Sequence, residues 1–193
     1  MCVEAISNDP DELPQLSQTY YDGSYYLYNL PAGQYHLRFG NQPVNNDYYY
    51  DCEQSDVAIS WYPRAVDKAS SKVVTLGFNQ YLGGINGFVF QSAQVTGFVT
   101  SAATGLPIAA PCAQAFGSSG EVTGRAATVA PGIYIVSGLP PDTYRVGIKN
   151  CGDKPYIPQF YDGASTIDGA RPIPLAIGEV RSDIGASLVP RGP

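Results

Sequence analysis

The sequence predicts an all-β protein of two tandem Greek-key-type β-sandwich domains, residues 1–93 and 94–193, the first lacking its N-terminal strand. Three observations lead there. The 193 residues hold 21 Gly, 16 Pro and 15 Tyr against one Met and one Trp, a composition of many turns and many aromatic-bearing strands. Short segments rich in β-formers alternate with Gly, Pro, Asp and Asn along the whole chain. The text also repeats: GSYYLYNLPAGQYHLRF at 23–39 and GIYIVSGLPPDTYRVGI at 132–148 match Gly23 to Gly132, Leu30 to Leu139, Pro31 to Pro140 and Tyr35 to Tyr144, at a constant offset of 109.

The repeat runs on if its register changes at loops. Cys2 meets Cys112 at an offset of 110, and Cys52 meets Cys151 at 99, together with Tyr62 and Tyr161, Leu76 and Leu175, and Ile85 and Ile184. The first copy therefore carries ten extra residues in GNQPVNNDYYYDC, and insertions of that kind belong in surface loops, where closing a longer chain costs little. A unit of about 100 residues is too long for a solenoid repeat and suits a domain.

The more complete second copy shows its elements in order. QVTGFVTS reads as a first strand, ended by a turn at Gly105 and Pro107. AAPCAQAF, VTGRAATV, GIYIVSGL and TYRVGIKN follow as strands, with Pro140, Pro141 and Asp142 forming the tight connection between the last two. RPIPLAI and DIGASLV are further strands, Pro172 and Pro174 marking an edge or a strand start. In the first copy Met1 stands directly before Cys2, so the counterpart of QVTGFVTS is missing. At the other end the chain stops one residue before another VTGFV would begin, and the tail LVPRGP reads equally as interdomain sequence or as an appended thrombin-like site. A fragment of a longer chain is expected, with neighbouring domains as partners and with self-association through an open sheet edge of the first domain.

Charge and cysteine usage bound the function. The net charge is −6 with no Lys/Arg run, which excludes the electrostatic footprint of a nucleic-acid partner. Apolar runs are short and broken, so no membrane span is predicted, and MCVEAISNDPDELP has neither the basic start nor the apolar core of a signal peptide. The four cysteines contain no C-x-x-C pair and there is one histidine, which disfavours zinc. Disulfides Cys2–Cys52 and Cys112–Cys151 are favoured because they place one bridge at the same position of each copy. Each would stabilise its domain by about 4 kcal/mol in the chain-entropy model, and both imply an extracellular, secreted or cell-surface location.

The order of motifs in the second copy, carried by Gly97, Val99, Thr104, Gly105, Pro107, Ile108, Tyr134, Leu139, Pro140, Tyr144 and Val146, resembles the carboxypeptidase regulatory-like domain family, of transthyretin-like and Cna-B-like architecture, in a secreted bacterial form. The resemblance covers nearly all of 94–193 and most of 1–93. It implies a noncatalytic module, often in tandem on surface proteins, that serves as spacer, stabiliser or binding element. Cna-B-like domains often carry an internal isopeptide bond from a lysine on the first strand; QVTGFVTS has no lysine, and the disulfide is expected to be the covalent staple here.

A search for chemistry points the same way, to a protein that is not an enzyme and needs no cofactor. His36 alternates with Tyr35 and Leu37 and so projects from the face away from the core. With a single histidine, Ser-His-Asp, Cys-His and H-E-x-x-H arrangements are incomplete. Asp9, Asp11 and Glu12 in SNDPDE offer hard oxygens for calcium but lack the spacing of a calcium loop, and read as a solvated acidic turn. Tyrosine is the remaining signal. Tyr48, Tyr49 and Tyr50 in the insertion, with Trp61 and Tyr62, form a candidate ligand-binding surface for a glycan or a surface protein. The leading expectation is thus a structural or stalk module. The alternatives are a carbohydrate-binding module and an accessory segment of a larger extracellular hydrolase.

Overall fold

The computed structural model describes residues 1–40, 57–153 and 155–192, and every regular element among them is a strand. They fall into two compact units, Met1–Gln91 and Ser92–Pro193. Cys52, Tyr48, Tyr49 and Tyr50, singled out above, lie outside the described residues.

The strands of the first unit are Cys2–Ser7 (β1), Gln15–Gln18 (β2), Gly33–Gly40 (β3), Val57–Ala58 (β4), Ser60–Trp61 (β5), Val74–Leu76 (β6) and Phe90–Gln91 (β7). One sheet runs β2-β1-β3-β5, with β6 also paired to β3; β4 and β7 form a separate ladder. The period-2 text of β3 decides its faces. Tyr35, Leu37 and Phe39 are buried with Val3 and Ala5 of β1. Glu4 and Arg38, directly opposite in the β1–β3 ladder, form an ion pair at 2.5 Å.

The second unit contains Ala93–Ser101 (β8), Pro111–Phe116 (β9), Val122–Arg125 (β10), Ala127–Ala130 (β11), Ile133–Leu139 (β12), Asp142–Asn150 (β13), Gln159–Phe160 (β14), Ile173–Leu175 (β15), Val180–Arg181 (β16) and Ala186–Leu188 (β17). Two sheets result, β10-β9-β13-β14 with β15 on β13, and β11-β12-β8-β16 with β17 on β8. Their inner faces share one cluster of 16 buried residues, among them Val95, Val99, Tyr134, Val136, Leu139, Tyr144, Val146 and Ile148. VTGRAATV, expected as one strand, is two, because the chain passes from one sheet to the other at Ala126, whose N–H is held by the carbonyl of Ala113 at 2.8 Å.

The ladders of the first unit's sheet recur in the second. Cys2 lies opposite Gly40 as Cys112 lies opposite Lys149, Arg38 opposite Trp61 as Gly147 opposite Phe160, and Tyr35 opposite Val74 as Tyr144 opposite Ile173. Loops agree as well: Asn79 and Gly178 have φ of 51° and 67°, and Gly84 and Asp183 have φ of 72° and 66°. All four positions hold the residue types that tolerate the left-handed region.

The second sheet is where the units differ. β8 is its centre, paired antiparallel with β12 on one side and parallel with β16 and β17 on the other. No strand among the described residues of the first unit takes that place. The segment 23–30, which carries the text of β12, and the segment 81–89, which matches β16 and β17, form no ladder. A sandwich with one open edge was the expectation. Because the strand concerned is central in the second unit, two described segments of the first are left without pairing, beside its main sheet and the β4–β7 ladder.

Candidate functional site: a groove in the first unit

Two segments, Gly23–Leu30 and Gln80–Gly87, wall a cavity of about 510 Å³ in the first unit, and Val3, Tyr35, Leu37, Phe39, Val74 and Leu76 floor it. The sheet positions the floor through the alternation of β1 and β3. The walls are held by side-chain bonds. Tyr25 donates its hydroxyl to the carbonyl oxygen of Ile85 at 2.5 Å, which ties one wall to the other. Tyr35 donates to the Pro31 carbonyl at 2.7 Å, anchoring the end of the first wall. The backbone N–H of Gly77 is capped by Gln80 Oε1 at 2.7 Å, which shapes the entry to the second. Burial pushes the Tyr25 hydroxyl up to about 12, with a further push from Tyr62, so it stays a protonated donor.

The second unit has the same fastenings at the same places. Tyr134 donates to Ile184 at 2.5 Å, Tyr144 donates to Pro140 at 2.7 Å, and Ala176 N–H is capped by Glu179 Oε2 at 2.8 Å. There β8 lies between the two walls. Packing follows the difference: Tyr25, Leu27, Leu30, Ile85 and Val89 are only partly buried, whereas Tyr134, Val136, Leu139, Ile184 and Leu188 are buried. No residue lining the groove carries a charged side chain.

Among the described residues, those singled out in the sequence lie on different elements. Cys112 and Cys151 are disulfide-bonded, their Cα atoms 5.7 Å apart, joining the start of β9 to the chain just beyond β13. Cys2 is buried and disulfide-bonded. Trp61 and Tyr62 are both half-buried. Trp61 packs by Arg38, whose guanidinium carbon is 5.8 Å from its ring centroid, and edge-on to His36 at 6.5 Å. Tyr62 packs against the core cluster, its N–H bonded to the Leu37 carbonyl at 2.9 Å. His36 contacts the hydroxyl of Ser71 through Nδ1, and burial, with Lys68 nearby, lowers its basicity. In the acidic turn, Asp9 Oδ1 accepts from the Asp11 N–H at 3.0 Å, and a Glu12 carboxylate oxygen lies 3.4 Å from the Tyr35 hydroxyl, whose proton goes to the Pro31 carbonyl. Among the described residues no group of three or more His, Cys, Asp and Glu could hold a metal ion, and no helix is long and apolar enough to cross a membrane.

The groove itself was not singled out from sequence. Its signal was present in the tyrosines of GSYYLYNL and in the Ile85–Ile184 match, yet the bond between Tyr25 and Ile85 spans 60 residues and shows only in three dimensions. Other tyrosines of the first unit form an exposed cluster. Tyr26 and Tyr28 are exposed and stacked, ring centroids 6.0 Å apart at 17°, with Tyr20 edge-on to Tyr26 at 6.1 Å.

Fold and groove together define an all-β protein with two β-rich units. No family model matches the chain, and no curated protein matches it. Among solved structures it is similar to the Bacillus anthracis TIE protein, at 13% identity and a TM-score of 0.36, over 98% of this chain and 30% of that one. It is similar also to GBS52, the minor pilin of the Gram-positive pathogen Streptococcus agalactiae, at 12% identity and a TM-score of 0.37, over 100% of this chain and 83% of that one. The chain thus spans under a third of the TIE protein's length. Likeness at this level bears on neither activity nor assembly.

Proposed function

We propose that the chain is a noncatalytic structural module of the cell exterior, two copies of one β-rich unit in series that connect or project neighbouring domains of a longer protein. The disulfide Cys112–Cys151 carries this reading. A bond that fastens one strand to the chain just beyond its neighbour is of use where the surroundings are oxidising, and it serves rigidity rather than chemistry. The recurrence of ladder register and loop geometry between the units supports the tandem arrangement. The test is labelling of intact cells that make the full-length protein, with an antibody raised against these residues. Signal on intact cells is the expected result; signal only after permeabilisation overturns the reading.

A second reading, a glycan-binding surface, has a specific observation in its favour, the exposed stack of Tyr26 and Tyr28 with Tyr20 beside it. Sugar rings pack their C–H faces against such aromatics. Retention of the chain on insoluble polysaccharide, lost in a Tyr26→Ala/Tyr28→Ala variant, is the result this reading requires.

A further inference from the structure

We infer that the groove of the first unit is an acceptor for an added β-strand of the β8 type: an extended, uncharged segment with aliphatic residues flanking a central glycine. This goes beyond the structural role proposed above and does not depend on it.

The second unit shows how such a strand sits. β8 pairs antiparallel with β12, placing Val95 opposite Val136, Gly97 opposite Tyr134 and Ala93 opposite Leu139. On its other side it pairs parallel with β16 and β17, placing Val95 beside Arg181 and Val99 beside Ala186. At offsets of 109 and 99 those neighbours become Leu27, Tyr25 and Leu30 on one wall of the groove, and Leu82 and Gly87 on the other. All five line it. The walls form no ladder, so their backbone groups offer the two edges that strand addition uses.

The glycine requirement comes from one contact. In the second unit a β-carbon at Gly97 would stand 2.0 Å from the Ile184 carbonyl oxygen and 2.9 Å from the Tyr134 ring. Those are the two groups joined by the tyrosine hydroxyl bond, and β8 crosses over them. Tyr25 and Ile85 make the same bond at 2.5 Å in the first unit. Any strand laid between the walls in the β8 register meets it and needs glycine there. The flanking positions must be aliphatic, because Val95 and Val99 are fully buried against the same kind of floor. Charge agrees too: AQVTGFVTS has no charged side chain, and neither has the groove lining.

The experiment uses the 193-residue chain and the peptide AQVTGFVTS, with AQVTVFVTS as control, read by amide hydrogen exchange. The expected result is protection of residues 25–30 and 81–87, with exchange slowed by about tenfold or more, for the glycine peptide and not for its valine counterpart. Since a free peptide loses its own freedom on binding, a second measurement tethers each sequence ahead of Met1 through a ten-residue linker, which raises its effective concentration. Unchanged exchange in the tethered protein overturns the proposal. Equal protection by both sequences overturns it as well, since the contact at Tyr25 and Ile85 would then select nothing. If the chain alone protects these segments in a concentration-dependent dimer, the occupant is a second copy, and the inference of a separate donor strand fails.

Discussion

Tyr134 and Ile184 are joined by a hydroxyl-to-carbonyl bond of 2.5 Å that lies under the centre of β8, and Gly97 is the residue that passes over it. The φ of Gly97 is not in the left-handed region, so glycine is there for space and not for backbone freedom. Gly97→Ala forces a β-carbon toward a backbone oxygen 2.0 Å away, which cannot move without shifting the strand. We expect a loss of about 3 kcal/mol, the upper end for overpacking. Gly105→Ala meets nothing within 4 Å but keeps a φ of 70°, and should cost only about 1 kcal/mol. Urea unfolding of the two variants checks the order; equal effects would show that the crossing is not tight.

Strand content was legible in the sequence, and where its text recurs the ladders stand at the same offsets. The offsets of 110, 109 and 99 carry the β1–β3 and β3–β6 contacts onto β9–β13 and β13–β15 because each involves residues present in both copies. What could not be read was that 23–30, nearly the same text as β12, stays unpaired. Strand propensity expresses itself only against a partner, and the partner of β12 is β8, which no described strand of the first unit replaces. The crossing at Ala126 escaped for a related reason: VTGRAATV has continuous strand-like composition, and only the positions of β9 and β12 decide that its halves pair apart.

Unequal cores predict unequal stability. Among the described residues the second unit buries 16 in its cluster and the first five, so heating should give two transitions with the first unit melting earlier. Leu37→Ala removes a floor residue of the first core, and Ile148→Ala removes a buried strand residue of the second. Each should cost about 2–4 kcal/mol, the former moving only the lower transition and the latter only the upper. One cooperative transition shifted by both variants would contradict this.

Buried tyrosines predict loss of stability in alkali. Burial raises the pKa of Tyr134 and Tyr144, with Tyr161 and Asp142 adding to the respective shifts, and raises Tyr25 to about 12. In the unfolded chain these groups ionise near 10. The folded state therefore binds more protons above that pH, so the stability is fully present below about pH 10 and is lost as pH rises toward the folded values. For Tyr134 and Tyr144 the slope is about 1.4 kcal/mol per pH unit each. Tyrosinate absorbance from the buried rings of Tyr134 and Tyr144 should appear only with unfolding. Tyr144→Phe should flatten the dependence while weakening the protein at neutral pH, because the Pro140 carbonyl loses its donor.

The disulfide makes a mechanical prediction that a merely thermal one would miss. Cys112 and Cys151 are separated by 39 residues, and closing a loop of that size stabilises the unit by about 4 kcal/mol in the chain-entropy model. Reduction should accordingly lower the upper thermal transition by about 15 °C. Under tension the same bond removes the enclosed residues from the extensible chain. When a single molecule is pulled from its ends, the second unit should lengthen further in reductant, by about 140 Å for the 39 released residues. A Cys112→Ala/Cys151→Ala variant should show the longer extension with or without reductant. If its extension matched that of the oxidised protein, the bridge would not be the element that limits how far this unit opens under load.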